Sequence, residues 1–125
     1  MTVRVNNSEM GGCVNRKEEF DNHNKTVTAR WVNPLGSEML GSVYVVYSYG
    51  DHFPMYMYSQ RMDRWFGNKG RYSVTTSRHQ SQCRPASAEI IWMDSDALNK
   101  LANGHCDGEA VLRGMALAAE GVMEA

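Results

Sequence analysis

The sequence predicts an α+β fold: an antiparallel sheet of about four to six strands, arranged as a meander, with two C-terminal helices packed on one face. Three observations predict this class. Apolar and polar side chains alternate over residues 26–32, β-branched and aromatic runs follow between short turns, and the last third carries an apolar stripe at helical spacing. At 125 residues the chain is expected to form one domain, with a polar N-terminal segment (1–25), the sheet (26–93) and the helices (94–125).

The first half of the chain contains three candidate strands. Thr2–Val5 predicts a short strand, and the polar residues after it predict either a loop or a weak helical turn around Arg16–Phe20. Thr26–Val32 alternates as a half-buried strand does, and Val43–Tyr49 is rich in β-branched and aromatic residues. A turn over residues 33–36 separates these two strands.

The next segment predicts the rest of the meander. Phe53–Ser59 predicts a strand in which Pro54, which has no amide hydrogen, sits at the start or on an edge. Arg64–Phe66 is expected to pair briefly, residues 67–70 to form a tight turn, and Arg71–Ser77 to complete the meander. Strands joined by short turns run antiparallel, so every neighbouring pair is expected to be antiparallel.

The C-terminal third predicts one strand and two helices. Glu89–Met93 is expected to be a strand buried on both sides. Asp94 or Ser95 then caps a helix over Asp96–Asn103, and Glu109–Glu124 predicts a second, amphipathic helix.

Composition excludes several classes of protein. With 42% hydrophobic and 22% charged residues the chain is expected to fold rather than to be disordered. No apolar run is long enough to span a bilayer, and the N-terminus lacks the apolar core of a secretion signal. The three cysteines (Cys13, Cys83 and Cys106) are therefore expected to be free thiols in a reducing cytosol, which predicts a cytoplasmic protein.

Aromatic side chains and charges are unevenly distributed. Residues 44–72 hold nine of the twelve aromatic residues, and residues 61–84 carry six basic side chains against one acid. Residues 85–125 reverse the balance, with seven acids and two bases. Such blocks either pair with one another inside the protein or present two faces to different partners.

The aromatic strands and the basic segment together predict a binding surface. Tyr56 and Tyr58 lie on the same face of their strand, and tyrosines left exposed beside arginines would form a stacking platform for bases or a protein-binding hot spot. The alternative is that these rings fill the core. The remaining residues of the predicted surface up to the polar segment are Arg61, Arg64, Lys69, Arg71 and Tyr72.

A polar segment, Thr75–Gln82, follows the predicted strand. Hydroxyls, amides, an arginine and a histidine are the groups with which a loop binds phosphate or a nucleic-acid backbone, although any solvated loop contains them as well. Its candidate contact residues, together with the arginine that follows, are Ser77, Arg78, His79, Gln80, Gln82 and Arg84.

Metal and catalytic signatures are absent from the sequence. His79 and Cys83, and further along His105 and Cys106, lack the paired spacing of zinc knuckles, so no metal or other cofactor is expected. His52 and His79 are weak candidates for the acid and base of a metal-independent nuclease, because imidazole titrates near neutrality. A non-catalytic protein is the favoured interpretation.

Part of the chain resembles small uncharacterised proteins of phages and mobile elements. The resemblance rests on three groups of residues, written here with x for any residue: Y-S-Y-G-x-H-x-P-M-Y from Tyr47, W-x-G-N from Trp65 and T-T-S-x-H-Q-S-Q from Thr75. It covers about a third of the chain. It implies a phage setting, and it implies neither a particular reaction nor functional residues.

Two functions are therefore expected. The first is an accessory or counter-defence protein, similar to anti-CRISPR proteins, that binds and occludes a host protein or nucleoprotein complex through its basic or its acidic face. The second is a DNA- or RNA-binding module that uses the basic and aromatic sheet face with the 71–84 segment. A small nuclease is a third hypothesis.

Overall fold

A computed structural model of the protein describes residues 2–33, 41–49, 53–70, 73–86 and 89–102. Within these residues the chain forms one mixed sheet of seven strands, in which strand order follows sequence order, together with three α-helices. The strands are β1 (Val3–Val5), β2 (Phe20–Asn22), β3 (Val27–Val32), β4 (Val43–Ser48), β5 (Pro54–Ser59), β6 (Arg64–Asn68) and β7 (Ile90–Met93). The helices are α1 (Met10–Arg16), which follows a 3₁₀ turn over Asn7–Glu9, α2 (Val74–Cys83) and α3 (Ser95–Ala102). The predicted α+β class is confirmed.

The middle of the sheet is the antiparallel meander that the sequence predicts. Strands β2 to β6 pair antiparallel in succession. Along β4, Val43 and Val45 contact one core while Tyr44 and Val46 contact the other, as the period of two requires. Pro54 begins β5, so its missing amide hydrogen falls at the start of the strand.

The two edges of the sheet differ from the prediction. β1 pairs parallel with β2, and β6 pairs parallel with β7. In both cases a helix, α1 or α2, connects the two strands, and a helical crossover returns the chain in its original direction. The expectation of a purely antiparallel sheet was wrong because both connecting helices were interpreted as loop or strand.

Helices cover both faces of the sheet. Met10, Cys13 and Val14 of α1 and Cys83 of α2 belong to the core that contains Tyr44 and the other buried residues of that face. On the opposite face, α3 packs its apolar side against the sheet with Leu98 and Leu101, beside Met57 and Phe66 of β5 and β6. The prediction that helices pack on only one face of the sheet was therefore wrong. The second predicted C-terminal helix, Glu109–Glu124, lies outside the described residues.

α1 begins six residues earlier than the weak helical turn predicted around Arg16–Phe20. It ends where Lys17 adopts a left-handed conformation (φ 56°), and the Glu18 amide then donates to the Cys13 carbonyl at 2.9 Å.

The helix start predicted near Asp94 and Ser95 is confirmed, because Asp94 Oδ1 accepts a hydrogen bond from the Ala97 amide at 2.8 Å.

β6 and β7 depart from the prediction in ways that matter for the surface. Gly67 and Asn68, expected in a tight turn, are the last two residues of β6. β7 was expected to be buried on both sides, but Trp92 is 38% exposed. Among the described residues β7 has a neighbour on one side only, so its side chains are less covered than those of a central strand.

Candidate functional site

The polar segment forms a helix with a polar inner face. Residues 74–83 are α2, so the loop predicted over Thr75–Gln82 was wrong, and so was the predicted strand Arg71–Ser77 from residue 74 onward. Residues 71 and 72 lie outside the described part of the chain. Ser73 caps the helix by accepting a hydrogen bond from the Thr76 amide at 3.1 Å. The helix residues that face the sheet and are buried are Thr76, His79, Gln80 and Cys83.

His79 joins α2 to the centre of the sheet. Its Nδ1 atom lies 3.0 Å from Ser48 Oγ of β4, and Ser48 Oγ lies 3.4 Å from Thr76 Oγ1. Burial, together with the charge of Arg78, lowers the pKa of His79, which favours the neutral imidazole. His79 is 3% exposed and Ser48 is buried, so this pair links two elements and does not face solvent as a hydrolytic pair would.

Gln80 ties α2 to the end of β6. Its Nε2 atom donates to the backbone carbonyls of Asn68 (2.9 Å) and Gly70 (3.2 Å). The Tyr56 hydroxyl donates to the backbone carbonyl of Gln80 at 2.7 Å. Asn68 in turn donates to the Pro54 carbonyl (2.9 Å) and to Ser95 Oγ (2.8 Å), so α2, β5, β6 and α3 meet at one polar junction.

A cleft lies beside this junction, at the outer end of the sheet. Tyr56, Gly67 and Trp92 are paired across β5, β6 and β7. Gly67 provides no side chain between the two rings, and a Cβ atom placed there would lie 2.6 Å from the Trp92 ring. The Trp92 ring therefore lies close to the Gly67 backbone and forms one wall of the cleft, with the centre of the Tyr56 ring 6.1 Å from its own.

The cleft has a volume of about 250 Å³ and a mixed polar and aromatic lining. Its walls are Tyr56, Asn68, Lys69, Gln80, Ser81, Arg84 and Trp92. We call it the Trp92 cleft. Four of these residues were predicted contact residues: Tyr56, Lys69, Gln80 and Arg84.

Two cations lie at the mouth of the Trp92 cleft. Arg84 places its guanidinium carbon 5.4 Å from the centre of the Trp92 ring, within cation–π range. Lys69 is exposed, and its backbone amide is held by the Met93 carbonyl at 2.9 Å. Among the described residues, none of those that line the cleft is acidic, so this part of the chain presents positive charge next to an aromatic surface.

Other predicted contact residues lie elsewhere. Arg64 forms an ion pair with Glu89, and Tyr58 donates its hydroxyl to Asp63. Tyr58 is half-buried, and Lys17 Nζ lies 4.4 Å from the centre of its ring. The interpretation in which rings fill the core therefore holds for Tyr56, which is 2% exposed, and in part for Tyr58.

The remaining predicted residues are distributed over three places. Arg61 is exposed in the turn between β5 and β6, where its side chain packs against Gly41. Ser77 and Arg78 lie on the outer side of α2, and Gln82 is half-buried. Arg71, Tyr72, His52, His105 and Cys106 lie outside the described residues, so the pairing of His52 with His79 stays a hypothesis.

Reasoning from sequence missed Asn68, Ser81 and Trp92. Asn68 was assigned to a turn and Trp92 to the interior. The sequence contains one signal for this site, which is Gly67. A glycine inside an aromatic strand often marks a place where a neighbouring group lies close to the backbone, and in the structure that group is Trp92, which pairs with Gly67.

The chain was compared with known proteins, and no protein-family model, curated protein or solved structure matches it. Among the residues that the structure describes, none of the helices is long and apolar enough to cross a bilayer. The same residues contain no cluster of three or more histidine, cysteine or acidic side chains placed to hold a metal ion.

Proposed function

We propose that this protein is a non-catalytic binding module that holds a single-stranded nucleic acid at the Trp92 cleft. The observation that carries the proposal is the partly exposed indole of Trp92, with the Arg84 guanidinium 5.4 Å from its ring centre and Lys69 lining the same cleft. Aromatic rings and guanidinium planes stack on bases, while the cations contact phosphates.

The proposed complex has two kinds of contact: stacking of a base and pairing of cations with phosphates. A base stacks on the exposed part of the indole or on the guanidinium that lies against it. Such base–aromatic stacking contributes about 1–3 kcal/mol per base and tolerates any sequence. Lys69 and Arg84, both exposed, neutralise the phosphates on either side of that base.

A single strand fits this surface better than a duplex. Bases of a duplex are stacked on one another and their faces are not available to a side chain. The Trp92 cleft is small: its volume of about 250 Å³ is below the range of about 300–1,000 Å³ typical of pockets for drug-sized ligands. It therefore suits one exposed base and not a paired helix.

The test is the binding of a fluorescently labelled 12-nucleotide single strand, measured by anisotropy at low salt. Trp92→Ala is expected to weaken binding at least tenfold, since it removes the stacking surface. Trp31→Phe is the matched control, because Trp31 packs against Tyr44 and Tyr58 in the aromatic core and does not line the cleft. Equal affinities of wild type and Trp92→Ala would contradict the proposal.

A second candidate is the occlusion of a host protein or nucleoprotein complex in the host cytosol, as in a counter-defence protein. Tryptophan and arginine are the residues most enriched at protein-binding hot spots, so Trp92 beside Arg84 also favours a protein partner. The phage setting implied by the resemblance supports this candidate as well.

Capture from host lysate distinguishes the two functions. Immobilised protein is incubated with lysate that has or has not been treated with nuclease, and Trp92→Ala is the control. Loss of all Trp92-dependent capture after nuclease supports the nucleic-acid module. Capture that survives nuclease and depends on Trp92 supports occlusion of a protein.

A further inference from the structure

Gln80 has an amide whose orientation is fixed by its surroundings. Its Nε2 atom donates to two backbone carbonyls, those of Asn68 and Gly70. A rotated amide would place oxygen against both carbonyls, so the assignment of nitrogen and oxygen follows from the hydrogen bonds. The Oε1 atom is therefore the amide atom left for another partner.

That oxygen is buried and has no partner among the residues that the structure describes. Gln80 is 5% exposed, and its Oε1 atom accepts no hydrogen bond within the described part of the chain. A buried acceptor without a donor costs about 1–3 kcal/mol, and almost all buried polar groups in folded proteins are satisfied. Gln80 is also one of the residues that line the Trp92 cleft, so its side chain lies next to any ligand held there.

We infer that the Trp92 cleft reads one base of the bound strand, whose N–H group donates a hydrogen bond to Gln80 Oε1 while its ring stacks beside Trp92. This inference rests on the function proposed above and adds a specific contact to it. Oε1 is buried in the free protein, so the inference requires side chains at the cleft wall to shift when the base enters.

The chemistry of the bases suits this contact. Every base carries an N–H donor on the edge used for pairing, and that edge is free in a single strand. A base that lacks the donor would leave Gln80 Oε1 buried and unpaired under the ligand. Sites built around a buried hydrogen bond reject analogues that lack the matching group much more strongly than purely apolar sites do.

The experiment changes the ligand and leaves the protein intact. RNA trinucleotides with abasic outer positions carry uracil, N3-methyluracil or 5-methyluracil at the centre, and binding is followed by tryptophan fluorescence at low salt. N3-methylation removes the donor, whereas 5-methylation adds the same bulk and keeps it. We expect uracil and 5-methyluracil to bind alike, and N3-methyluracil to bind about tenfold or more weakly.

A protein variant provides the second arm. Gln80→Met keeps the approximate size of the side chain and removes the acceptor, together with the two hydrogen bonds that Nε2 donates to Asn68 and Gly70. It is expected to bind uracil and N3-methyluracil within about twofold of each other. A thermal unfolding transition recorded for this variant shows that it is folded. Equal binding of uracil and N3-methyluracil by wild type would overturn the inference and leave strand binding intact. If wild type bound none of these ligands, and no longer single-stranded nucleic acid either, the proposed function itself would be contradicted.

Discussion

The Tyr56 hydroxyl donates a hydrogen bond to the backbone carbonyl of Gln80 at 2.7 Å, which fixes the C-terminal half of α2 over the middle of the sheet. The contact joins residues 24 positions apart, and both are buried. It sets the depth at which Gln80 enters the junction with Asn68 and therefore positions one wall of the Trp92 cleft.

Tyr56→Phe is expected to lower the free energy of unfolding by about 1–2 kcal/mol, because it removes a buried hydrogen bond and keeps the ring. Chemical denaturation measures the effect. The matched control is Tyr49→Phe: Tyr49 is 49% exposed, so this change should stay within about 0.5 kcal/mol of wild type. A Tyr56→Phe variant as stable as the control would show that the hydroxyl contributes nothing.

Gly67→Ala is expected to displace the indole of Trp92, since the new Cβ atom would lie 2.6 Å from its ring. The emission of the exposed tryptophan should change and single-strand binding should weaken. Gly12→Ala is the control, because its Cβ would meet only the flexible end of the Arg16 side chain at 3.2 Å. Unchanged emission and binding in Gly67→Ala would contradict the described packing of Trp92.

Asn22→Ala is expected to lower the free energy of unfolding by about 2–4 kcal/mol, because it removes several buried hydrogen bonds at once. Asn22 Oδ1 accepts from the Thr26 and Val27 amides, and its Nδ2 donates to Asn7 Oδ1 and Thr26 Oγ1. Asn24→Ala, in the exposed part of the same turn, is the matched control for denaturation. Similar losses in the two variants would show that this network is not stabilising.

The stability of the protein should fall as the pH is lowered through the region below about 6.5, the ordinary pKa of histidine. Burial and Arg78 lower the pKa of His79 in the folded state, so the unfolded chain binds a proton there that the native protein excludes. Denaturation from pH 7.5 to 5 measures this loss. His79→Gln should have a flatter pH dependence than wild type, whereas Ser77→Ala, on the outer side of the same helix, should keep it. Parallel curves for wild type and His79→Gln would contradict the burial of a neutral imidazole.

Several strands could be predicted because their signals are local. The alternation in residues 26–32 and the β-branched run from Val43 depend on neighbouring residues alone, and both segments are strands. The start of α3 could also be predicted, because an aspartate before a helical pattern is a strong N-cap signal.

α2 could not be recognised because its buried face is polar. Three of its four buried residues, Thr76, His79 and Gln80, pack inward through hydrogen bonds with β4, β6 and the turn before the helix. The 3.6-residue period of apolar residues that marks an ordinary helix is therefore missing. The local sign of a helix start is Ser73, whose hydroxyl accepts a hydrogen bond from the Thr76 amide. Serine is common in loops as well, so this sign is weak. Missing this helix also hid the parallel pairing of β6 with β7.

The candidate site was predicted in part for a related reason. Lys69 and Arg84 could be predicted because they belong to the basic segment, which is recognised by counting charges in the sequence. The place of Trp92 depends on the pairing of β7 with β6, which depends on the crossover through α2. Its apolar neighbours Ile90 and Ile91 suggested burial, but among the described residues β7 pairs only with β6.

The most direct test of strand binding at the Trp92 cleft is the salt dependence of single-strand affinity for wild type, Arg84→Gln and Arg78→Gln. Arg84 lies on the rim of the cleft and Arg78 on the outer side of α2, so the two substitutions remove equal charge from different places. Each phosphate contact contributes about 0.7 to the slope of log affinity against log salt for a single strand. We expect Arg84→Gln to reduce the slope by about 0.7 and to weaken binding, while Arg78→Gln retains the wild-type slope. The same slope in all three proteins, or undetectable binding by wild type at low salt, would contradict binding at this cleft.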